Sequence, residues 1–274
     1  ETSEDQLIDK VAYTWFNRFV ALRFMDANDY QPIGVKVLST LDGFTTPEIL
    51  DDAKRGNIHD ELQVDRRKIG DLLDGRIPSS NAQNEVYKLL LTGVCNHLHK
   101  TFPFLFERID DYTELLLPDD LTSEFSIVQD IREGMSKEDC KEVEIIGWLY
   151  QFYISEKKDE VFASNGKVKK EDIPAATQLF TPRWIVEYMV QNTVGKLWLL
   201  NNPSSRIKDH MPYYIESEEK GHDYLMVSSV EDITLLDQAC GSGHILVYGF
   251  ELFSKIYEEQ GYNQSEIPEL IINK

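Results

Sequence analysis

The stretch that most restricts the fold is Leu235-Leu236-Asp237-Gln238-Ala239-Cys240-Gly241-Ser242-Gly243-His244-Ile245-Leu246-Val247. An apolar run stops at an aspartate and passes through a small-residue loop with two glycines. It then resumes as an apolar, helix-compatible run. Ile233, Leu235 and Leu236 suit a buried strand, and the residues from His244 suit a helix with an apolar face at Leu246, Phe250, Phe253 and Ile256. Strand, glycine loop and helix form a unit in which Gly241 and Gly243 allow backbone geometry that a Cβ would block. The free N–H groups and dipole of the helix start would favour a carboxylate or phosphate oxygen. Asp237, at the strand end, stands where it would accept from a hydroxyl or an ammonium group. The same pattern also fits a tight strand-to-helix turn with no ligand.

The residues around the glycines discriminate among cofactors. A dinucleotide loop needs Gly-x-Gly-x-x-Gly, and here the third position is Leu246. A phosphate-binding Gly-Lys-Ser/Thr loop is absent. A second capped element precedes the loop in "QLFTPRWIVEYMVQNTVGKLWLL", where Thr181 is expected as N-cap and Pro182 as the first helical residue. Ile185, Met189, Val190, Val194, Leu197 and Trp198 then recur at helical spacing.

Upstream, the chain reads as mostly α. Ser3 and Gln6 make a capping-box pattern before a long helix whose stripe is Leu7, Val11, Trp15, Phe19, Leu22 and Met25. Ile8, Phe16, Val20 and Phe24 broaden that stripe, so the helix is expected to be covered on more than one side. "RRKIGDLLDG" closes on Gly75 as a C-terminal cap, and "NEVYKLLLTGVCNHLHKTFPFLF" is a buried helix broken at Phe102-Pro103. "CKEVEIIGWLYQFYISEKKDEVF" is a further apolar helical stretch. The polar run 157–174, with Asn165-Gly166 as a turn signal, marks the domain boundary, giving an α-helical domain over 1–172 and a second domain over 173–274.

Charge limits the partners. Lys and Arg number 28 against 48 Asp and Glu, a formal net charge of −20, so the chain carries no general footprint for a polyanion. Residues 173–274 hold seven basic and 14 acidic side chains, so the imbalance is not confined to one tail. If the chain acts on a polyanion, its main phosphate-binding surface is expected elsewhere. No apolar run reaches the roughly 18 residues of a membrane helix, and three distant cysteines suit a reducing, cytoplasmic compartment. Cys95, His97 and His99 point to different helix faces and make a poor metal site. No metal site is expected. Arg66-Arg67-Lys68 and Lys157-Lys158 read as solvated faces, and His244 as a residue that helps cap its helix.

With both anchors in view, "DQACGSGHILV" resembles motif I of the S-adenosylmethionine-dependent N6-adenine DNA methyltransferases, with Gln238 in place of the usual proline. "QLFTPRWIVEYMV" resembles motif X of the same enzymes, and its order before motif I is that of the γ class. "AYTWFNRFVALRFMDAN" and "EIIGWLYQFYISEKKDEVFA" are similar to the N-terminal helical region of the BREX-type adenine methyltransferases, a bacterial phage-defence group related to restriction-modification enzymes. The resemblance implies a mostly α N-terminal domain, followed by the truncated start of a Rossmann-like α/β methyltransferase domain. It implies S-adenosylmethionine as cofactor, held by Phe180, Thr181, Pro182, Asp237, Ala239, Cys240, Gly241, Ser242 and Gly243. Thr181 and the following helix start would lie at the methionine carboxylate, and Asp237 and the loop around the methionine part. The family's adenine-holding Asn/Asp-Pro-Pro-Tyr/Phe is missing; Asn202-Pro203-Ser204 and Met211-Pro212-Tyr213-Tyr214 do not supply it. No catalytic residue is therefore expected in this chain. The resemblance implies the N-terminal part of a longer enzyme that meets double-stranded DNA through its missing C-terminal region, and that is inactive alone. The helical part would alternatively be an interaction platform for other defence proteins, and a dinucleotide-dependent enzyme is the less favoured alternative.

Overall fold

The computed structural model describes residues 4–109, 117–164, 166–177, 179–216, 224–241 and 243–273. Ser3, expected to cap the first helix, and Asn165, expected in the linker turn, lie outside the described residues. The chain forms two compact units, residues 1–146 and 147–274.

In the first unit, α1 (Glu4–Ala27), α2 (Glu48–Lys54), α3 (Arg66–Leu73), α4 (Ala82–Leu98) and α5 (Ile127–Gly134) enclose one apolar core. Val11, Trp15, Phe19 and Leu22 of α1 are buried, with Leu7 and Met25 packed at the margin, as the stripe predicts. The broadening is partial, since Val20 is buried while Ile8 is exposed. Val86, Tyr87, Leu90, Leu91, Val94 and Leu98 of α4 complete the core. Side chains cap the entries to three helices. Asp65 accepts from the Lys68 N–H, Asn81 from the Asn84 N–H, and Ser126 from the Gln129 N–H. Helix α3 ends with Gly75 at φ 72°, where Gly75 N–H reaches the Leu72 carbonyl and Arg76 N–H the Asp71 carbonyl. That pairing is a Schellman cap, available at low cost only to glycine. Asp26, fully buried at the end of α1, accepts from the backbone N–H groups of Val37, Leu38 and Ser39 and so pins the following loop.

In the second unit follow most of α6 (Glu144–Tyr153), then α7 (Ser155–Ala163), α8 (Ile173–Thr177) and α9 (Arg183–Val190). A π-helical turn, Gln191–Gly195, joins α9 to α10 (Lys196–Asn201), and α11 (His244–Glu259) and α12 (Ile267–Ile272) end the unit. The buried row Val186, Val190, Val194 and Trp198 packs with Leu252, Phe253, Ile256 and Tyr257 of α11. This row is turned by one residue from part of the expected stripe, leaving Met189 exposed.

The expectation of an α/β domain over 173–274 is overturned. Among the described residues the fold is helical and contains no strand or sheet; the isolated bridge between Thr40 and Pro47 is the nearest approach to one. Ile233 is extended, at φ −94° and ψ 127°, and Leu235 packs so closely on α11 that a Cβ on Gly249 would sit 2.3 Å from Leu235 Cδ2. Among the described residues nothing pairs with this segment as a ladder, and a strand exists only through such pairing. Carboxamides on helices satisfy loop backbone elsewhere. Asn201 Nδ2 donates to the Leu225 carbonyl while its Oδ1 accepts from the Val227 N–H, at 2.9 and 3.0 Å. Asn192 treats the Tyr213 carbonyl and the Ile215 N–H in the same way, at 2.8 and 2.9 Å. Each asparagine offers the donor and acceptor that a neighbouring strand would offer.

Candidate cofactor site

The loop from Asp237 to Gly243 turns the extended segment into α11. Both described glycines of the loop, Gly241 at φ 52° and Gly243 at φ 79°, adopt the left-handed conformation in which other residues are strained. Gly243 N–H donates to the Cys240 carbonyl at 2.7 Å, which closes the turn. Gly243 is the N-cap residue of α11 and has no side chain to cap it, and the first-turn N–H groups of Ile245 and Leu246 have no intrahelical acceptor. The end of a 16-residue helix thus presents its positive pole beside the loop.

The other site residues are placed as follows. Asp237 is half-buried, and its Oδ1 accepts from the Ala239 N–H at 3.0 Å, so part of the carboxylate is engaged in shaping the loop. Ala239, Cys240 and Gly241 are exposed along the loop. Ser242 lies outside the described residues. Phe180 is buried, Thr181 half-buried, and Pro182 stands before α9. The expected cap differs: Pro182, not Thr181, is the N-cap residue, and it makes no side-chain cap hydrogen bond. The reason is conformational. Pro182 at φ −55° and ψ 144° is itself outside the helix, which begins one residue later and beyond the reach of the Thr181 hydroxyl.

The tertiary structure brings Phe180 and Thr181 to the start of α11. His244 Nδ1–H donates to the Thr181 carbonyl at 3.0 Å, across 63 residues of sequence. The His244 and Phe180 rings lie 4.8 Å apart, tilted by 34°. Phe180 is held from its other side by α6. Trp148 meets it edge-on at 5.0 Å, and Gln151 Oε1 accepts from the Phe180 N–H at 3.0 Å. Gly147 makes room for the ring, since a Cβ there would fall 2.0 Å from Phe180 Cε2. Sequence reading missed this role of α6, and the one available signal was an unexplained glycine between Ile146 and Trp148.

A second tie joins the same two helices. Arg183, at the start of α9, pairs with Glu187 at 2.8 Å and Glu251 at 3.1 Å, and stands 5.9 Å from the centre of the Tyr248 ring. Gln191, fully buried in the π turn, donates to the Tyr248 hydroxyl at 2.7 Å and accepts from the Tyr213 N–H at 2.7 Å. Burial, ahead of the neighbouring carboxylates of Glu187 and Glu251, raises the Tyr248 phenol above its ordinary value. Tyr248 is therefore a neutral structural hydroxyl here. Cys95 belongs to the core of the first unit, and His99 Nδ1 contacts the Phe106 carbonyl at 2.9 Å. Among the described residues no cluster of three metal-ligating side chains occurs.

What these groups offer chemically is a short uncharged wall, Phe180-Thr181, held against an anion-favouring helix start and a glycine loop. No family model matches the chain. The adenine-specific methyltransferase BrxX of Escherichia coli O9:H4 (strain HS) is 45% identical over 99% of this chain and 23% of its own length. The adenine-specific methyltransferase PglX of Lacticaseibacillus casei (strain Zhang) is 38% identical over 98% of this chain and 24% of its own length. The chain spans about a quarter of the length of these curated relatives. At that identity across practically all of its residues, the chain is similar to a segment, about a quarter in length, of the BrxX and PglX adenine-specific methyltransferases.

Proposed function

We propose that this chain supplies the methionine-side part of the S-adenosylmethionine site in a DNA adenine-N6 methyltransferase. The observation that carries the reading is the joining of Phe180-Thr181 to the glycine loop through His244. The two stretches matched to the cofactor motifs are thereby neighbours in space. The helix start and loop N–H groups would bind the methionine carboxylate, and the Thr181 hydroxyl, outside the helix cap, would donate to it. Asp237 and the backbone of Ala239, Cys240, Gly241, Ser242 and Gly243 would surround the methionine ammonium and sulfonium, with Phe180 and Pro182 setting the wall. When bound, S-adenosylmethionine supplies an electrophilic methyl group. The residues of this chain bind and orient it and carry no proton transfer.

The acceptor in this reading is the amino group of adenine in double-stranded DNA. Its positioning belongs to residues other than these, because no Asn/Asp-Pro-Pro-Tyr/Phe occurs here and the net charge of −20 disfavours phosphate contacts. The biological setting in this reading is bacterial phage defence in the cytoplasm, alongside other defence proteins. No helix among the described residues is long and apolar enough to cross a membrane. The test is isothermal titration of the 274-residue chain with S-adenosylmethionine and, separately, with NAD. Binding of S-adenosylmethionine alone is expected. Binding of NAD alone, or of neither, would refute the reading.

A further inference from the structure

We infer that His244 is a positioning residue, one that registers the Phe180-Thr181 segment against the glycine loop and so gives the methionine end of the cofactor pocket its shape. The inference rests on the proposed cofactor reading and adds to it a residue outside the loop and wall themselves.

The argument begins with the donor. The Thr181 carbonyl can only accept, so His244 Nδ1 must carry the proton in the 3.0 Å contact, which selects one tautomer of the neutral ring. A side chain on the first residue of α11 is thereby tied to the backbone directly preceding α9. The second contact is the ring pair with Phe180 at 4.8 Å. One side chain thus fixes both the carbonyl of Thr181 and the ring of its neighbour. Two contacts at different atoms prevent the segment from swinging about either one.

The other end of the clamp is equally determined. Phe180 cannot slide away from His244, because Trp148 and Gln151 hold it and the bare Cα of Gly147 receives its ring. Phe180 is consequently pressed between α6 and the start of α11. His244 follows Gly243 directly, and the Gly243 carbonyl accepts from the Val247 N–H at 2.9 Å. Any shift of the imidazole is therefore felt at the loop proposed to hold the methionine end of the cofactor. Nothing in this arrangement requires His244 to touch the cofactor or change protonation state.

The test uses the whole chain and two readouts. His244→Ala removes both contacts, His244→Phe keeps an aromatic ring but removes the donor, and His244→Asn keeps a donor at the place of Nδ1. With circular dichroism confirming folding, His244→Ala is expected to bind S-adenosylmethionine about tenfold more weakly, for one hydrogen bond and one ring pair together. His244→Asn is expected to recover most of the lost affinity, and His244→Phe little of it. Hydrogen exchange provides the second readout, independent of ligand. His244→Ala should speed exchange in peptides covering Phe180–Val186 and Gly243–Val247 and leave α1 to α5 unchanged. Unchanged exchange at Phe180–Val186 overturns the inference whether or not the cofactor binds. So does wild-type affinity in His244→Ala, or an Asn variant as weak as the Ala variant. If the wild-type chain binds no S-adenosylmethionine, the cofactor reading fails and the proposed positioning role fails with it; the exchange result still reports whether the His244 clamp exists.

Discussion

Replacing Asp26 with alanine should nearly unfold the first unit. The carboxylate is fully buried and accepts five hydrogen bonds. Oδ1 takes the Gln31 amide at 2.7 Å and the Val37 N–H at 2.9 Å. Oδ2 takes the Leu38 N–H at 2.8 Å, the Ser39 N–H at 2.7 Å and the Ser39 hydroxyl at 2.9 Å. Alanine leaves three backbone N–H groups of buried residues without acceptors, each costing about 1–3 kcal/mol. Allowing for relaxation and entering water, the loss is about 5 kcal/mol, comparable with the whole stability of many small domains. Asparagine distinguishes this cause from mere loss of volume. Its amide group can take the place of Oδ1 and donate to a rotated Gln31, whose Oε1 has no hydrogen-bond partner. The Val37 N–H then stays unsatisfied and the rotated Gln31 gives up its 3.3 Å bond to the Leu22 carbonyl, so Asp26→Asn should lose about 2–4 kcal/mol, still less than alanine. Urea unfolding by circular dichroism gives the midpoint and slope, and hydrogen exchange at Val37–Ser39 assigns the loss to this loop. A loss below about 1 kcal/mol for Asp26→Ala, or exchange at Val37–Ser39 unaltered, would refute the reasoning.

Two further predictions concern the second unit and the cysteines. In Gly147→Ala, the gain of about 1 kcal/mol that alanine usually brings to a helix should be reversed by the collision with Phe180, for a net loss of about 1–2 kcal/mol and weaker S-adenosylmethionine binding; an increase in melting temperature would contradict the packing described. Alkylation at pH 8 should modify Cys240, which is exposed, and spare Cys95, whose thiol is pushed up to about 12 by burial, and Cys140, which burial also raises. Saturating S-adenosylmethionine should slow modification of Cys240, as followed by peptide mass spectrometry, and an unchanged rate would count against the loop as part of the pocket.

Much of the helical architecture is legible in the sequence because its causes are local. The α1 stripe from Leu7 to Met25 buries as its spacing predicts, and Gly75 forms the cap its position suggests. Side-chain direction repeats every few residues, so a pattern of apolar positions carries the buried face with it. The one-residue rotation to Val186, Val190, Val194 and Trp198 is a smaller case of the opposite kind. There α11, distant in sequence, selects among several apolar positions which ones are buried. Thr181 shows a similar limit, since the hydroxyl and proline pattern of a cap does not say on which residue the helix begins.

The extended segment at Ile233–Leu236 marks where local reading stops. Apolar, β-branched residues record that the backbone is stretched and partly covered, but a sheet needs partner strands that no single segment encodes. Here α11 covers Leu235, and asparagines on neighbouring helices satisfy other loop backbone. By itself the sequence determined the long first helix and its buried face, the Gly75 cap and the glycines that turn the loop, since each depends on residues close together in the chain. Only the tertiary structure decided that the described residues are helical rather than α/β, that α6 grips Phe180, and that His244 ties Thr181 to the loop. Those results depend on hydrogen bonds and ring contacts between residues as many as 64 positions apart, which follow from how the helices pack.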